Sequence, residues 1–123
     1  MSAPNLVCAR RFLEALAAAA MTGNKSLIYP LLTQDVEWVT PMRSLNGIDQ
    51  VQAELTWLSP HEKLDFDFEE VETTDRGDGR VVSNFRQIYR MKGTGDFAYA
   101  RERRIDLTIR DGKIASYEMH VVG

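Results

Sequence analysis

A chain of 123 residues is long enough for one domain, residues 1–123, with its own core and no disulfide support. Its 44% hydrophobic and 27% charged residues are those of a globular protein, a net charge of −3 argues against a basic nucleic-acid groove, and no apolar run approaches the roughly 18 residues of a membrane span. Cys8 is the lone cysteine and the opening Met-Ser-Ala-Pro-Asn has no signal-peptide character, so a cytoplasmic location is expected.

Asn5 is placed to cap a first helix that runs to about Thr22, with Phe12, Leu13, Leu16, Ala17 and Ala20 on one apolar face. Gly23 ends it. Asn24 then caps a shorter helix whose stripe is Leu27, Ile28, Leu31 and Leu32, irregular because Pro30 lies within it. Val36, Trp38 and Thr40 alternate with their neighbours as a short strand does, until Pro41 interrupts. Asn46-Gly47 turns the chain into a third helix starting near Asp49, with Val51, Leu55 and Leu58 facing inward and Ser59-Pro60 as its stop.

The remainder reads as a meander. Leu64, Phe66 and Phe68 alternate with acidic residues, 75–79 turns, and Val81 to Met91 forms the next strand. Gly93-Thr94-Gly95 turns again. Ile105, Leu107 and Ile109 mark a strand that Asp111-Gly112 folds back into a last strand, because glycine accepts the positive φ of a tight hairpin. Helices first and an antiparallel sheet after them make the class α+β.

Two segments carry a resemblance. One is Leu31-Leu32-Thr33-Gln34-Asp35-Val36-Glu37-Trp38, followed by Pro41 and Gly47-Ile48-Asp49-Gln50-Val51; the other is Ile105 to Ile114. Together they resemble the SnoaL-like polyketide-cyclase group of the nuclear-transport-factor-2-like superfamily. The resemblance implies a cystatin-like, cone-shaped barrel: three N-terminal helices packed on a strongly curved, mostly antiparallel sheet that encloses an apolar pocket. Superfamily members include isomerases, cyclases, dehydratases, epoxide hydrolases and proteins without chemistry, so fold does not decide activity. The ketosteroid-isomerase tyrosine, base aspartate and protonated aspartate would fall at Phe12, Thr40 and near Ile105, so that mechanism is not expected here. Ser116, Tyr117 and Glu118 stand where cyclases often carry a His-Trp pair and carboxylates, and Arg103 with Asp106 supplies only part of the epoxide-hydrolase Asp-Arg-Asp set.

Strand alternation puts Trp38, Thr40, Phe85, Gln87, Tyr89, Tyr117 and Met119 on the pocket face, covered by Phe12 from the first helix. Arg101 and Arg103 share the parity of Ile105, and an inward arginine needs a carboxylate, water or an anionic ligand. A bulge between Arg103 and Ile105 would instead turn both to solvent. His120 depends on another bulge, one after Ile114 that the resemblance implies. With it, Tyr117, Met119 and Val121 face in and His120 faces out; without it, His120 becomes a general-base candidate.

Three functional readings are open. The first is an isomerase or cyclase acting by proton transfer on an apolar cyclic, polyketide-like substrate, with Tyr117 and His120 as catalytic candidates. Phe12, Trp38, Thr40, Phe85, Gln87, Tyr89, Arg101, Arg103 and Met119 would bind that substrate. The second is a non-catalytic binder of a small apolar molecule with an acidic or enolisable group. The third is a structural module whose aromatics fill its own pocket. The resemblance implies a homodimer through the charged outer sheet face, which by composition alone reads as solvated; a metal, a cofactor, nucleic acid and membrane are not expected, and two separated histidines make no metal-ligand cluster. Cys8 is expected to pack, His61 to be solvated in a loop, and Arg76-Gly77-Asp78 to serve only as a turn.

Overall fold

The computed structural model describes residues 4–55 and 63–122. Helix α1, Pro4–Thr22, starts one residue before the expected Asn5 cap. Proline suits a first turn, whose backbone N–H groups have no helical partner in any case. Gly23, at φ 78°, closes the helix, its N–H donating to the Ala19 carbonyl at 2.8 Å. Asn24 caps the next segment, accepting from the Ser26 N–H, but the expected second helix is two 3-10 turns, Lys25–Leu27 and Tyr29–Leu31. Pro30 withholds the N–H that a regular α-helix would need, and Leu32 already belongs to the first strand.

That strand, β1 (Leu32–Val39), pairs with a three-residue strand, β2 (Ser44–Asn46), in a region where the sequence pattern shows only a turn. Helix α2, Ile48–Glu54, begins directly after Gly47 at the neighbour of Asp49, where the sequence pattern places it. Lys25 reaches across to donate to the Leu55 carbonyl, fixing the end of α2 against the 3-10 turns. Leu58, the Ser59-Pro60 stop and His61 lie outside the described residues.

Four long strands complete the sheet: β3 (Leu64–Gly77), β4 (Arg80–Met91), β5 (Phe97–Arg110) and β6 (Lys113–Val122). The order is β2-β1-β6-β5-β4-β3, with every neighbouring pair antiparallel except β1 and β6, which run parallel. Asp111 and Gly112 both take positive φ, 54° and 75°, as the tight β5–β6 hairpin anticipated from Asp-Gly requires. Among the described residues, two α-helices and a pair of 3-10 turns on a six-stranded, mostly antiparallel sheet give the α+β architecture expected from the sequence.

Burial matches the two periods. Phe12, Leu16, Ala19 and Ala20 of α1 are buried against Val36, Trp38, Ile105, Leu107 and Tyr117 of the sheet. The opposite sheet face is charged: Arg86 pairs across strands with Glu102 at 3.6 Å and Arg90 with Asp67 at 3.7 Å, while Arg104 pairs along β5 with Asp106 at 3.7 Å. Pairs this exposed contribute little stability each. Among the described residues no helix is long and apolar enough to cross a membrane.

Candidate functional site

Two positions in the sheet determine what faces inward. The first is Ala115. Thr108 pairs with Ser116 and Ile109 with Ile114, so β6 carries one extra residue just after Ile114, where the bulge was anticipated. Beyond it Tyr117 is buried, Met119 half-buried and Glu118 exposed. The second is the stretch 103–105. Arg103 pairs with Phe85 and Val121, Ile105 with Ser83 and Met119, with no break in register on either side. The bulge that would have turned Arg103 to solvent is absent from this stretch, and Arg103 keeps the face of Ile105 and Leu107.

These strands, α1 and the end of α2 enclose a cavity of about 530 Å³. Trp38, Phe85, Tyr89, Tyr117 and Met119 form apolar wall, and Thr40, Gln87 and Arg103 supply polar atoms. That volume and that mix fit a small-molecule site. The mouth is made by the 40–43 turn between β1 and β2, where Met42 is 89% exposed, and by Glu54 of α2. Arg43 donates to Glu54 at 2.6 Å across this mouth.

The electrostatics centre on Arg103, whose charge acts on both Tyr89 and Tyr117. Burial raises the pKa of both tyrosines, and the Arg103 charge offsets only part of that rise. Both phenols are therefore neutral hydrogen-bonding groups at ordinary pH. Glu54 goes the other way: hydrogen bonds from Gln50 and Arg43 hold its carboxyl below the usual carboxylate range, so the mouth carries an ionised carboxylate paired with the Arg43 guanidinium.

Of the residues expected from sequence to form the site, Trp38, Thr40, Phe85, Gln87, Tyr89, Arg103, Tyr117 and Met119 come together on the cavity. Three are elsewhere. Phe12 is fully buried behind the wall, edge-on to Trp38 at 6.1 Å and to Tyr117 at 6.0 Å, and does not line the cavity. Arg101 lies further along β5 and is exposed, its guanidinium over the Tyr99 ring at 5.5 Å. His120 is on the outer face, because the bulge at Ala115 fixes the frame of β6. Its Nε2 lies 3.2 Å from Asp106 and 3.3 Å from Glu118. The three donor atoms of that outer group lie within 4.8 Å of one another, a grouping that the separation of the two histidines in sequence did not reveal. Arg43, Glu54 and Leu45 were missed as cavity residues. Arg43 and Glu54 sit eleven positions apart on different elements, with no local pattern linking them. Cys8 packs as expected: its Sγ is 3.3 Å from the Gly112 carbonyl, and burial pushes the thiol pKa up, away from nucleophilic use.

No protein-family model and no curated protein sequence matches the chain. Solved structures do. An NTF2-like protein from Anabaena variabilis superposes over 100% of this chain and 93% of its own, with a TM-score of 0.79 and 20% identity. TerC, co-crystallised with polyporic acid, covers 98% of this chain and 92% of its own, with a TM-score of 0.68 and 21% identity. An LEH-like epoxide hydrolase from M. tuberculosis covers 94% and 84%, with a TM-score of 0.67 and 13% identity. At such identities the likeness is one of fold.

Proposed function

We propose that this chain, which has the nuclear-transport-factor-2-like fold, is a small-molecule pocket protein that binds an apolar cyclic ligand through a weakly acidic oxygen, such as a phenol, enol or carboxylic acid. The observation that carries this reading is Arg103 on the cavity face, its charge acting on Tyr89 and Tyr117 and its side chain set in aromatic wall. A guanidinium in such a wall is costly unless it meets an anion or strong acceptor, and an oxyanion at the cavity end of Arg103 would meet that need. Aromatic rings on the ligand would lie against Phe85, Met119 and the Trp38–Tyr117 pair. A neighbour of the same fold co-crystallised with an acid, polyporic acid, supports the class of ligand.

Binding is favoured over proton transfer on an enolisable substrate. Tyr89 and Tyr117 are pushed up by burial and Glu54 is held down by its hydrogen bonds, which leaves no described cavity residue poised to exchange a proton near neutral pH. His120, the other proton-transfer candidate, lies on the opposite face. The SnoaL-like cyclase activity implied by the resemblance is therefore the second reading, and deuterium exchange at the α-carbon of cyclohexanone in D₂O separates the two.

The test is thermal unfolding of wild type and Arg103→Met with 4-butylphenol and 4-butylbenzoate. A ligand at 100 times its Kd stabilises by about 2.7 kcal/mol, a shift of several degrees. Stabilisation of wild type that is lost in Arg103→Met is expected. Stabilisation that survives the substitution, or none with either probe, overturns the proposal.

A further inference from the structure

A second cavity, of about 400 Å³, lies between α1 and strands β3 and β4. Leu16, Phe68 and Phe85 line both cavities, and the partition between them is closed by the Phe68 and Phe85 rings, whose centroids lie 5.4 Å apart. The far chamber is bordered on α1 by one small residue, Ala17. Ala19 and Ala20 are fully packed, whereas Ala17, on the turn above Leu13, is only half-buried and opens onto the chamber. A leucine or phenylalanine at 17 would occupy that space. The inner wall of the chamber is Ile105, Phe85 and Ser83. The Ser83 hydroxyl is satisfied by Thr73 at 2.9 Å, so no unpaired polar group there would resist an apolar guest. Arg10, which lies 3.7 Å from Glu70, and Glu14 confine the charge to the outer rim.

We propose that the two cavities form one bipartite site, and that the ligand is elongated. Its acidic ring lies at Arg103 and Tyr89, and an uncharged alkyl tail reaches the chamber under Ala17 by parting the Phe68–Phe85 ring contact. This inference rests on the proposed function for the position of the acidic end and adds the length and polarity of the rest. Ala17 and Leu13 are then specificity-determining residues, because they touch only the tail.

The experiment is calorimetric titration of phenol, 4-butylphenol and 4-octylphenol into wild type, Ala17→Trp and Leu13→Trp, each checked for a cooperative melt. In wild type, affinity should keep rising from butyl to octyl, by roughly fourfold per added methylene that is fully buried. In either tryptophan variant the rise should stop near butyl while phenol and 4-butylphenol bind as in wild type. With two variants, one that fails to fold leaves the other to decide. An equal gain from butyl to octyl in wild type and in the folded variant overturns the bipartite site but leaves the Arg103 reading standing. Failure of all three phenols to bind wild type overturns both.

Discussion

Tyr117 stacks on Trp38 with ring centroids 3.8 Å apart and planes 16° from parallel, and Phe12 stands edge-on to both. The three rings join β1, β6 and α1, elements far apart in sequence, at the floor of the cavity. Trp38 and Tyr117 face each other directly in the parallel β1–β6 register, so the stack is a product of that pairing. Aromatic contacts of this kind add about 0.5–1.5 kcal/mol to simple burial. Phe12→Ala should therefore cost about 3–5 kcal/mol of unfolding free energy, read from urea denaturation. A loss below about 1 kcal/mol would mean that the floor is not a packed unit.

The same burial sets a pH dependence. The folded-state pKa of Tyr117 is raised above the ordinary value of 10.0 that it regains on unfolding. Below pH 10 the phenol is neutral in both states, and its contribution is fully present. Above it, only the unfolded chain ionises, unfolding releases a proton, and stability falls with rising pH by up to about 1.4 kcal/mol per pH unit. Urea midpoints at pH 9.5 and 11 should fall less in Tyr117→Phe than in wild type. Parallel curves would show that the hydroxyl is accessible to solvent.

His120→Ala is expected to be close to silent. On the outer face beside Asp106 and Glu118 it makes only partly exposed contacts, and substitutions there usually change stability by no more than about 0.5 kcal/mol. Affinity for 4-butylphenol should stay within twofold of wild type. A tenfold loss would mean that β6 is read one residue out of frame, with His120 in the cavity.

Gly79 shows a different constraint. Its φ is +79°, and a Cβ there would lie 2.4 Å from the Ile109 carbonyl oxygen, while its own carbonyl accepts from the Ile109 N–H at 2.7 Å. Gly93 has a similar φ, +89°, with nothing within 4 Å of its would-be Cβ. Gly93→Ala should thus lose only the backbone penalty of about 1–2 kcal/mol, and Gly79→Ala should lose more. The difference measures how tightly the β3–β4 turn is held against the end of β5. Equal losses would show that the turn yields freely.

The parts of this molecule that were legible in the sequence are those with a local signature. Ile105, Leu107 and Ile109 alternate, Asp111-Gly112 can hardly do anything but turn, and Phe12, Leu16 and Ala20 repeat at helical spacing. The strand β2 was hidden because Ser44-Leu45-Asn46 is too short to display a period. The parallel seam of β1 with β6 has no signature at all, since it joins residues some eighty positions apart. The inward face of β6 hung on one extra residue, Ala115; nothing in an alanine announces a bulge, and only the resemblance anticipated it. Arg103 could be nominated but not oriented from parity alone, and the mouth pair of Arg43 and Glu54 arises only when a turn and a helix end are brought together.

That mouth pair makes a prediction about selectivity. Glu54 is ionised at neutral pH because Gln50 and Arg43 stabilise its charge, and it holds Arg43 in the same contact. An incoming anion therefore meets a carboxylate, with the nearest cation already engaged. Glu54→Gln removes the repulsion and loosens Arg43, so 4-butylbenzoate should bind roughly twofold to fivefold more tightly while neutral 4-butylphenol is unchanged. The acid limb of stability should change too. A carboxyl with a depressed folded pKa contributes above its ordinary value of 4.5, and that contribution is lost as pH falls through the folded value. Wild type should lose this increment on acidification and Glu54→Gln should not. If benzoate and phenol respond alike to the substitution, Glu54 shapes the opening by its size and not by its charge.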